Sequence, residues 1–332
     1  MKTTLTSFFL FIVCFSTLYA ERYHARAIGI YDLKQERYLH QKNIFTKRAP
    51  ASTIKVLTAL TAWKESPNVK AYVRVSKRAT LAQPTKAYLK EGEYYRIDDL
   101  IKTCLVASCN DAARALAEGI AGSEYAFAQK MQRLAEQLGT RQTKVTNASG
   151  LPRPSGMTIS INDSIKILKA TIKIPELVKM LKVKSFNLTS KKGRKIPLRN
   201  HNRLLNGFEF EVIGKTGYTK LARHCFLSYG KSKKHEVIIS ILGNEKKFLW
   251  NDLRAGYRLH LDREAYMPRF LKNNKISLAK LHQLLKNKGF PVKKHETYYG
   301  PETRKAVKRF QIENRLSVDG IVGPQTWGVL GK

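Results

Sequence analysis

Val237-Ile238-Ile239-Ser240-Ile241-Leu242 is the stretch on which the reading of the fold turns. It is short, rich in β-branched residues and apolar at successive positions, so it reads as a strand central in a sheet. Just before it, Phe226-Leu227-Ser228-Tyr229-Gly230 is strand-like too, and Lys231-Ser232-Lys233-Lys234 between them makes a charged hairpin turn. Far upstream, Ala27-Ile28-Gly29-Ile30-Tyr31 has the same character. Helical stretches lie between, among them Asp99 to Leu105 and Asp111 to Glu118. Strands first and last with helices between predict an α+β fold. Its antiparallel sheet pairs the two ends of the segment, carries helices on both faces and has a helical lobe inserted.

Outward from this frame the chain changes character twice. Residues 1–20 read as a secretory signal: Lys2 supplies the positive start, Phe8 to Phe15 is an apolar run too short to span a bilayer comfortably, and Leu18-Tyr19-Ala20 is the expected cleavage site. Cys14 follows Val13, a poor match to a lipid-anchor site. No later segment is apolar for long enough to cross a membrane, so an exported product without a transmembrane segment is expected. The composition shifts again near Pro268 to Asn274. Beyond it, Leu278, Leu281, Leu284 and Leu285 form one helical stripe, and Ala306, Val307 and Phe310 form a second. Gly300-Pro301-Glu302-Thr303 and Gly323-Pro324-Gln325-Thr326 form a short repeat, with proline suited to a first helical turn. The expected domains are therefore 21–270 and a small all-α, three-helix unit at 271–332.

The charge balance is strongly basic: 61 Lys and Arg against 25 Asp and Glu give a formal net charge of +36. The cations are scattered, no nucleic-acid-binding signature is present, and export removes nucleic acid from reach. A polyanionic envelope is the better partner, beside the plainer reading of lysine-rich residue usage. After cleavage Cys104, Cys109 and Cys225 remain, an odd number that implies no complete disulfide framework, although one pair can still oxidise outside the cytoplasm. The eight histidines show no zinc-ligand spacing, and neither metal nor cofactor is expected.

Three short motifs carry the chemistry. Ser52-Thr53-Ile54-Lys55 follows Pro50 and opens an apolar segment, so Ser52 and Lys55 share a helix face three residues apart. A serine hydroxyl is a poor nucleophile until a base takes its proton, and lysine is a base only when desolvation or another cation depresses its pKa. Lys215 is the candidate second cation. Ser108-Cys109-Asn110 lies between two helical segments, where a turn brings a hydroxyl and a carboxamide into a cleft. Lys215-Thr216-Gly217-Tyr218 supplies a cation, a hydroxyl and a glycine that lets a substrate backbone approach. Taken singly, each pattern has a plain structural explanation: helix caps and solvated lysines. Ser-x-x-Lys recurs at Ser228/Lys231 and Ser277/Lys280, whereas Lys-Thr-Gly occurs once.

With their flanks, these motifs resemble the serine D-alanyl-D-alanine carboxypeptidases, the low-molecular-weight penicillin-binding proteins, over about residues 27 to 260. Ala49-Pro50-Ala51-Ser52-Thr53-Ile54-Lys55 looks like the nucleophile segment. Leu89 to Glu93, Ser108 to Ala113 and Leu116-Ala117-Glu118 match the second block. Asn147-Ala148-Ser149-Gly150-Leu151 resembles the family's Asn-x-x-Gly-Leu turn, and Asn200 to Leu205 leads into Gly214-Lys215-Thr216-Gly217-Tyr218-Thr219. The resemblance implies a β-lactamase/DD-peptidase-like sheet. It makes Ser52 the nucleophile toward the penultimate D-alanine of a peptidoglycan stem, Lys55 the base, and Ser108 and Asn110 partners in proton transfer and substrate holding. It places backbone N–H groups of Ser52 and Tyr218 at the oxyanion, and Lys215, Thr216 and Gly217 at the substrate. β-Lactams are implied as covalent inhibitors.

Two departures stand out. Arg223 occupies a position where the family usually keeps glycine, and after Leu242-Gly243 the expected arginine is replaced by Asn244, Glu245, Lys246 and Lys247. Arg223 or Lys246 is therefore a candidate for the substrate carboxylate. A class A β-lactamase is disfavoured because no Glu-x-x-Leu-Asn occurs. A D,D-endopeptidase on crosslinks uses the same machinery, and a catalytically weak wall-binding protein is the non-enzymatic alternative. The C-terminal unit resembles a three-helix peptidoglycan-binding domain through Tyr299 to Thr303, Phe310-Gln311 and Asp319 to Thr326, with Tyr298, Tyr299 and Trp327 as candidate sugar-stacking rings.

Overall fold

The computed structural model describes residues 23–152, 154, 156–261, 271, 273–292, 299–318 and 320–331. The expected signal at 1–20, Tyr298, Asp319 and part of the 268–274 junction lie outside them. Among the described residues there are nine strands: β1 Ala27–Asp32, β2 Arg37–Lys42, β3 Tyr72–Arg74, β4 Tyr94–Arg96, β5 Ser185–Thr189, β6 Lys195–Arg199, β7 Glu211–Thr219, β8 Arg223–Lys231 and β9 Glu236–Asn244. Five form one antiparallel sheet in the order β2-β1-β9-β8-β7, and two short pairs, β3-β4 and β5-β6, flank the helical lobe. The predicted pairing of chain ends holds: Ala27 stands opposite Leu242 and Ile30 opposite Ile239. The charged turn closes as expected, with Ser232 N–H donating to His235 O at 2.9 Å.

β9 shows why the sheet needs cover on both sides. Its side chains alternate between faces. Val237, Ile239 and Ile241 join a core with Leu249, Leu253 and Tyr257 of the helix that follows, Lys246–Leu261, whereas Ile238 and Leu242 belong to the larger core of the helical lobe. The two polar groups in this apolar layer are satisfied: Ser240 pairs its hydroxyl with that of Ser164 at 2.7 Å, and Ser228 donates to Ile239 O at 3.0 Å.

The lobe is built from α1 Lys55–Glu65, α2 Lys77–Thr80, α3 Ile97–Val106, α4 Asn110–Ala121, α5 Glu124–Gln137, α6 Ile161–Ile172 and α7 Pro175–Lys182, and α8 Lys246–Leu261 covers the other face. α1 is buried at every residue from Lys55 to Ala62, so a helix apolar nearly all round sits at the centre with its first turn at the sheet. The C-terminal unit comprises α9 Leu278–Asn287, α10 Pro301–Glu313 and α11 Pro324–Leu330 around their own core of Leu281, Leu285, Ala306, Val307 and Phe310. Both halves of the short repeat begin a helix, with Gly300 and Gly323 as caps. Tyr299 departs from the expectation of a sugar-stacking ring: it is 1% exposed, with its hydroxyl donating to Gly320 O at 3.1 Å. Trp327 packs against the same core, half-buried.

Asp111 ties the lobe to the site. Its buried carboxylate accepts from Ala87 N–H at 2.9 Å, Leu89 N–H at 3.1 Å and Ala112 N–H at 2.9 Å, fastening the 83–89 loop to the start of α4. Asp111→Ala strands those donors out of water and is expected to lower stability by about 2–4 kcal/mol. Urea unfolding measures this, and a loss below about 1 kcal/mol would show that the loop holds without it.

Candidate active site

The site begins with an irregular turn. A 3-10 segment, Ala51–Ile54, precedes α1, and Ala51 is held in the left-handed region at φ 48° although it carries a Cβ. Two glycines allow the neighbouring chain to close over it. A Cβ on Gly150 would lie 2.0 Å from Ala51 O, and one on Gly217 would lie 2.9 Å from Ser52 N. Ser52 is thereby clamped between the 147–151 turn and the third motif, its backbone N–H lying against β7. Such strain at a buried non-glycine residue costs about 1–3 kcal/mol and persists only where the surroundings over-determine it.

Lys55 is fully buried, and its Nζ meets three oxygens: Ser52 Oγ at 2.9 Å, Asn110 Oδ1 at 2.7 Å and Ser149 O at 2.6 Å. Asn110 is oriented for this contact, because its Nδ2 donates to Gln83 O at 2.9 Å and leaves Oδ1 facing the amine. Burial depresses Lys55 to about 8, only partly opposed by Cys104, Cys109, Asp111 and Glu124. In the neutral amine, the two carbonyl oxygens take both hydrogens. The lone pair is then left for the Ser52 hydroxyl, the arrangement a general base requires.

Lys215 is likewise buried, with Nζ donating to Thr216 O at 2.8 Å. Its pKa is driven well below the usual lysine value, by burial first and by Lys55 second. The expectation of a second cation that depresses Lys55 gives way here: burial does that work, and Lys215 is not among the groups that shift Lys55. Ser108 is buried at φ 63°, directly before the α4 cap, but its hydroxyl makes no hydrogen bond with Ser52 or Lys55. Thr216 and Gly217 continue β7, which is the edge of the sheet, and Tyr218 is exposed with its ring stacked on His224 at 4.5 Å. Arg223 closes the β7-β8 hairpin opposite Thr219, exposed and at φ 59°, the backbone region that favours the glycine it replaces. Lys246 stands exposed at the start of α8.

Two contributors went unassigned in the sequence. Ser149 acts through a carbonyl, which no side-chain motif records, yet its signal was present in the Asn-x-x-Gly-Leu turn. Asn147 Oδ1 accepts from Ser149 N–H at 3.0 Å and Gly150 N–H at 2.8 Å, shaping the turn that aims Ser149 O at Lys55. His201 is exposed as a residue, but desolvation, then Lys215 and Lys55, push its imidazole down to about 4, so it stands neutral beside both amines. The thiols Cys104, Cys109 and Cys225 are free and buried, and burial pushes Cys104 and Cys225 up to about 12 and Cys109 further in the same direction. They are poor nucleophiles. Among the described residues, no cluster of His, Cys, Asp and Glu is placed to hold a metal ion, and no helix is long and apolar enough to cross a membrane.

Comparison with known proteins agrees with this geometry. Residues 16–246 match the D-alanyl-D-alanine carboxypeptidase family and residues 277–330 match a peptidoglycan binding domain. DacF of Bacillus subtilis, a D-alanyl-D-alanine carboxypeptidase, is 29% identical over 225 residues, 67% of this chain and 58% of that protein. The chain thus spans little more than half the length of that relative. DacB2 of Mycobacterium tuberculosis, named likewise, is 31% identical over 212 residues, covering 64% of this chain and 72% of its own. The crystal structure of penicillin binding protein 6B from Escherichia coli superposes with a TM-score of 0.65 at 27% identity, over 71% of this chain and 76% of that one. With the family match extending across the whole sheet, the lobe and all three motifs, the chain belongs to the D-alanyl-D-alanine carboxypeptidase family.

Proposed function

We propose that this protein is a serine D-alanyl-D-alanine carboxypeptidase that removes the terminal D-alanine from peptidoglycan stem peptides. One observation carries the reading: a fully buried lysine amine 2.9 Å from a serine hydroxyl, with carbonyl acceptors for its two remaining hydrogens. The stem peptide adds as a further strand to the free edge of β7, where backbone groups are available. Ser52 attacks the carbonyl of the penultimate D-alanine while Lys55 takes its proton. The N–H groups of Ser52 and Tyr218 hold the oxyanion, a contribution of about 3 kcal/mol per donor. Lys55 passes the proton, with Ser108 as relay and Asn110 holding the substrate amide, to the departing D-alanine. Water then releases the acyl-enzyme.

Substrate charge completes the site. Lys215 is poorly solvated and faces a second amine, so an arriving carboxylate restores its positive form and is held there with Thr216. Gly217 admits the backbone, and Arg223 or Lys246 is the further candidate for the same carboxylate. We assign 21–270 to catalysis and 271–332 to wall attachment, with the segment at 1–20 directing export to the periplasm or cell wall. As a tether, the second unit raises the local concentration of substrate at the catalytic unit. β-Lactams mimic the terminal dipeptide and acylate Ser52 in the same way.

Fluorescent penicillin is expected to label the wild type covalently and to leave Ser52→Ala unlabelled; normal labelling of the variant would remove the nucleophile from this scheme. Acylation should also depend on pH with a definite sign. The protonated form of Lys55 is inactive and its pKa is about 8, so the rate climbs about tenfold per pH unit below that value and levels off above it. A flat profile between pH 6 and 8 would exclude an amine base. Removing 271–332 should reduce retention on isolated sacculi while sparing release of D-alanine from a soluble pentapeptide. Equal retention would show that the anchor lies elsewhere.

A further inference from the structure

A groove of about 360 Å³ opens beside the nucleophile, walled by Pro50, Leu151 and Thr219. Lys215 is not part of it. β7 advances about 3.3 Å per residue, so Thr219 lies about 13 Å along the strand from Lys215. Among the described residues, three cations line the groove, Arg26, Lys47 and Arg48, and no carboxylate does. Among the described residues, none of the three has an ion pair.

The fold brings the two arginines of the groove together. The Arg48 backbone is locked to Ile159, donating to its carbonyl at 2.9 Å and accepting from its N–H at 2.8 Å. The stems of Arg26 and Arg48 converge over Gly243: a Cβ there would lie 3.2 Å from Arg26 Cδ and 3.2 Å from Arg48 Nε. Two guanidinium groups are thus brought together without a counter-ion. Burial first, and Arg26 second, lower the Arg48 pKa, consistent with a charge that lacks a partner.

We infer that the groove of Arg26, Lys47 and Arg48 is an anion subsite, which holds a carboxylate of the substrate upstream of the D-alanine pair. The inference rests on the proposed function, in which Lys215 and Thr216 hold the leaving end. The acyl-donor half then runs past Tyr218 to Thr219 and into the groove. A planar carboxylate suits the guanidinium fork, which gives two parallel hydrogen bonds. The carboxylate comes either from the side chain of the donor residue or from the residue before it.

Three synthetic peptides ending in D-Ala-D-Ala separate these sources when D-alanine release by the full chain is measured. The first has a neutral Nε-acetyl-lysine donor, and the second a 2-aminoadipate donor. The third has the neutral donor preceded by γ-linked glutamate with a free α-carboxylate. One acidic peptide is expected to exceed the neutral one about tenfold in kcat/KM, and that preference should collapse in Arg48→Gln and in the double variant Arg26→Gln/Lys47→Gln. The double variant changes only exposed side chains, so it keeps the test open if Arg48→Gln fails to fold. Release without preference in the wild type, or a preference retained by both variants, overturns the subsite alone. No release from any peptide overturns the catalytic reading itself.

Discussion

Taking the Lys55 amine out of water is the constraint on which the rest of the molecule depends. A buried ammonium without a carboxylate partner is costly, and the least expensive response is to release its proton. The protein arranges for this by placing Lys55 at the head of a helix buried through Ala62, and by surrounding Nζ with oxygens that bear no charge. A carboxylate in place of Asn110 Oδ1 would hold the proton on the amine and remove the base. The same logic applies to Lys215, whose protonation Lys55 makes harder still.

Accuracy at Ser52 comes from backbone held in unusual shapes rather than from side chains alone. Ala51 and Ser108 both adopt left-handed backbone without being glycine, one just before the nucleophile and the other just before the Asn110 helix. The lobe supplies the rigidity that maintains them: Asp111 binds the 83–89 loop, and Asn147 shapes the turn carrying Ser149. Asp111 and Asn147 therefore act one step removed from the chemistry, through the peptide groups they hold.

Much of this was legible in the residues. The continuous apolar run at Val237 to Leu242 announced a strand covered on both faces, and β9 is buried on both. Ser52 and Lys55 do share a face at the start of α1. What stayed hidden was interaction between distant parts of the chain. No side-chain pattern discloses that Ser149 offers a carbonyl to Lys55, or that His201 stands near two amines. The sugar-stacking expectation for Tyr299 failed for a related reason: an aromatic ring beside a turn looks the same in sequence whether it faces solvent or fills a core, and here the small three-helix unit uses it as core.

The partnership of β1 with β9 has a consequence for how the molecule is made. Ala27 finds its neighbour only at Leu242, so the middle of the sheet cannot close until nearly all of the first 244 residues have been synthesised. Contacts this distant along the chain are slow to form, since the entropy of closing the loop must be met first. The nascent polypeptide therefore spends a long interval without its central ribbon, its apolar strands still unpaired.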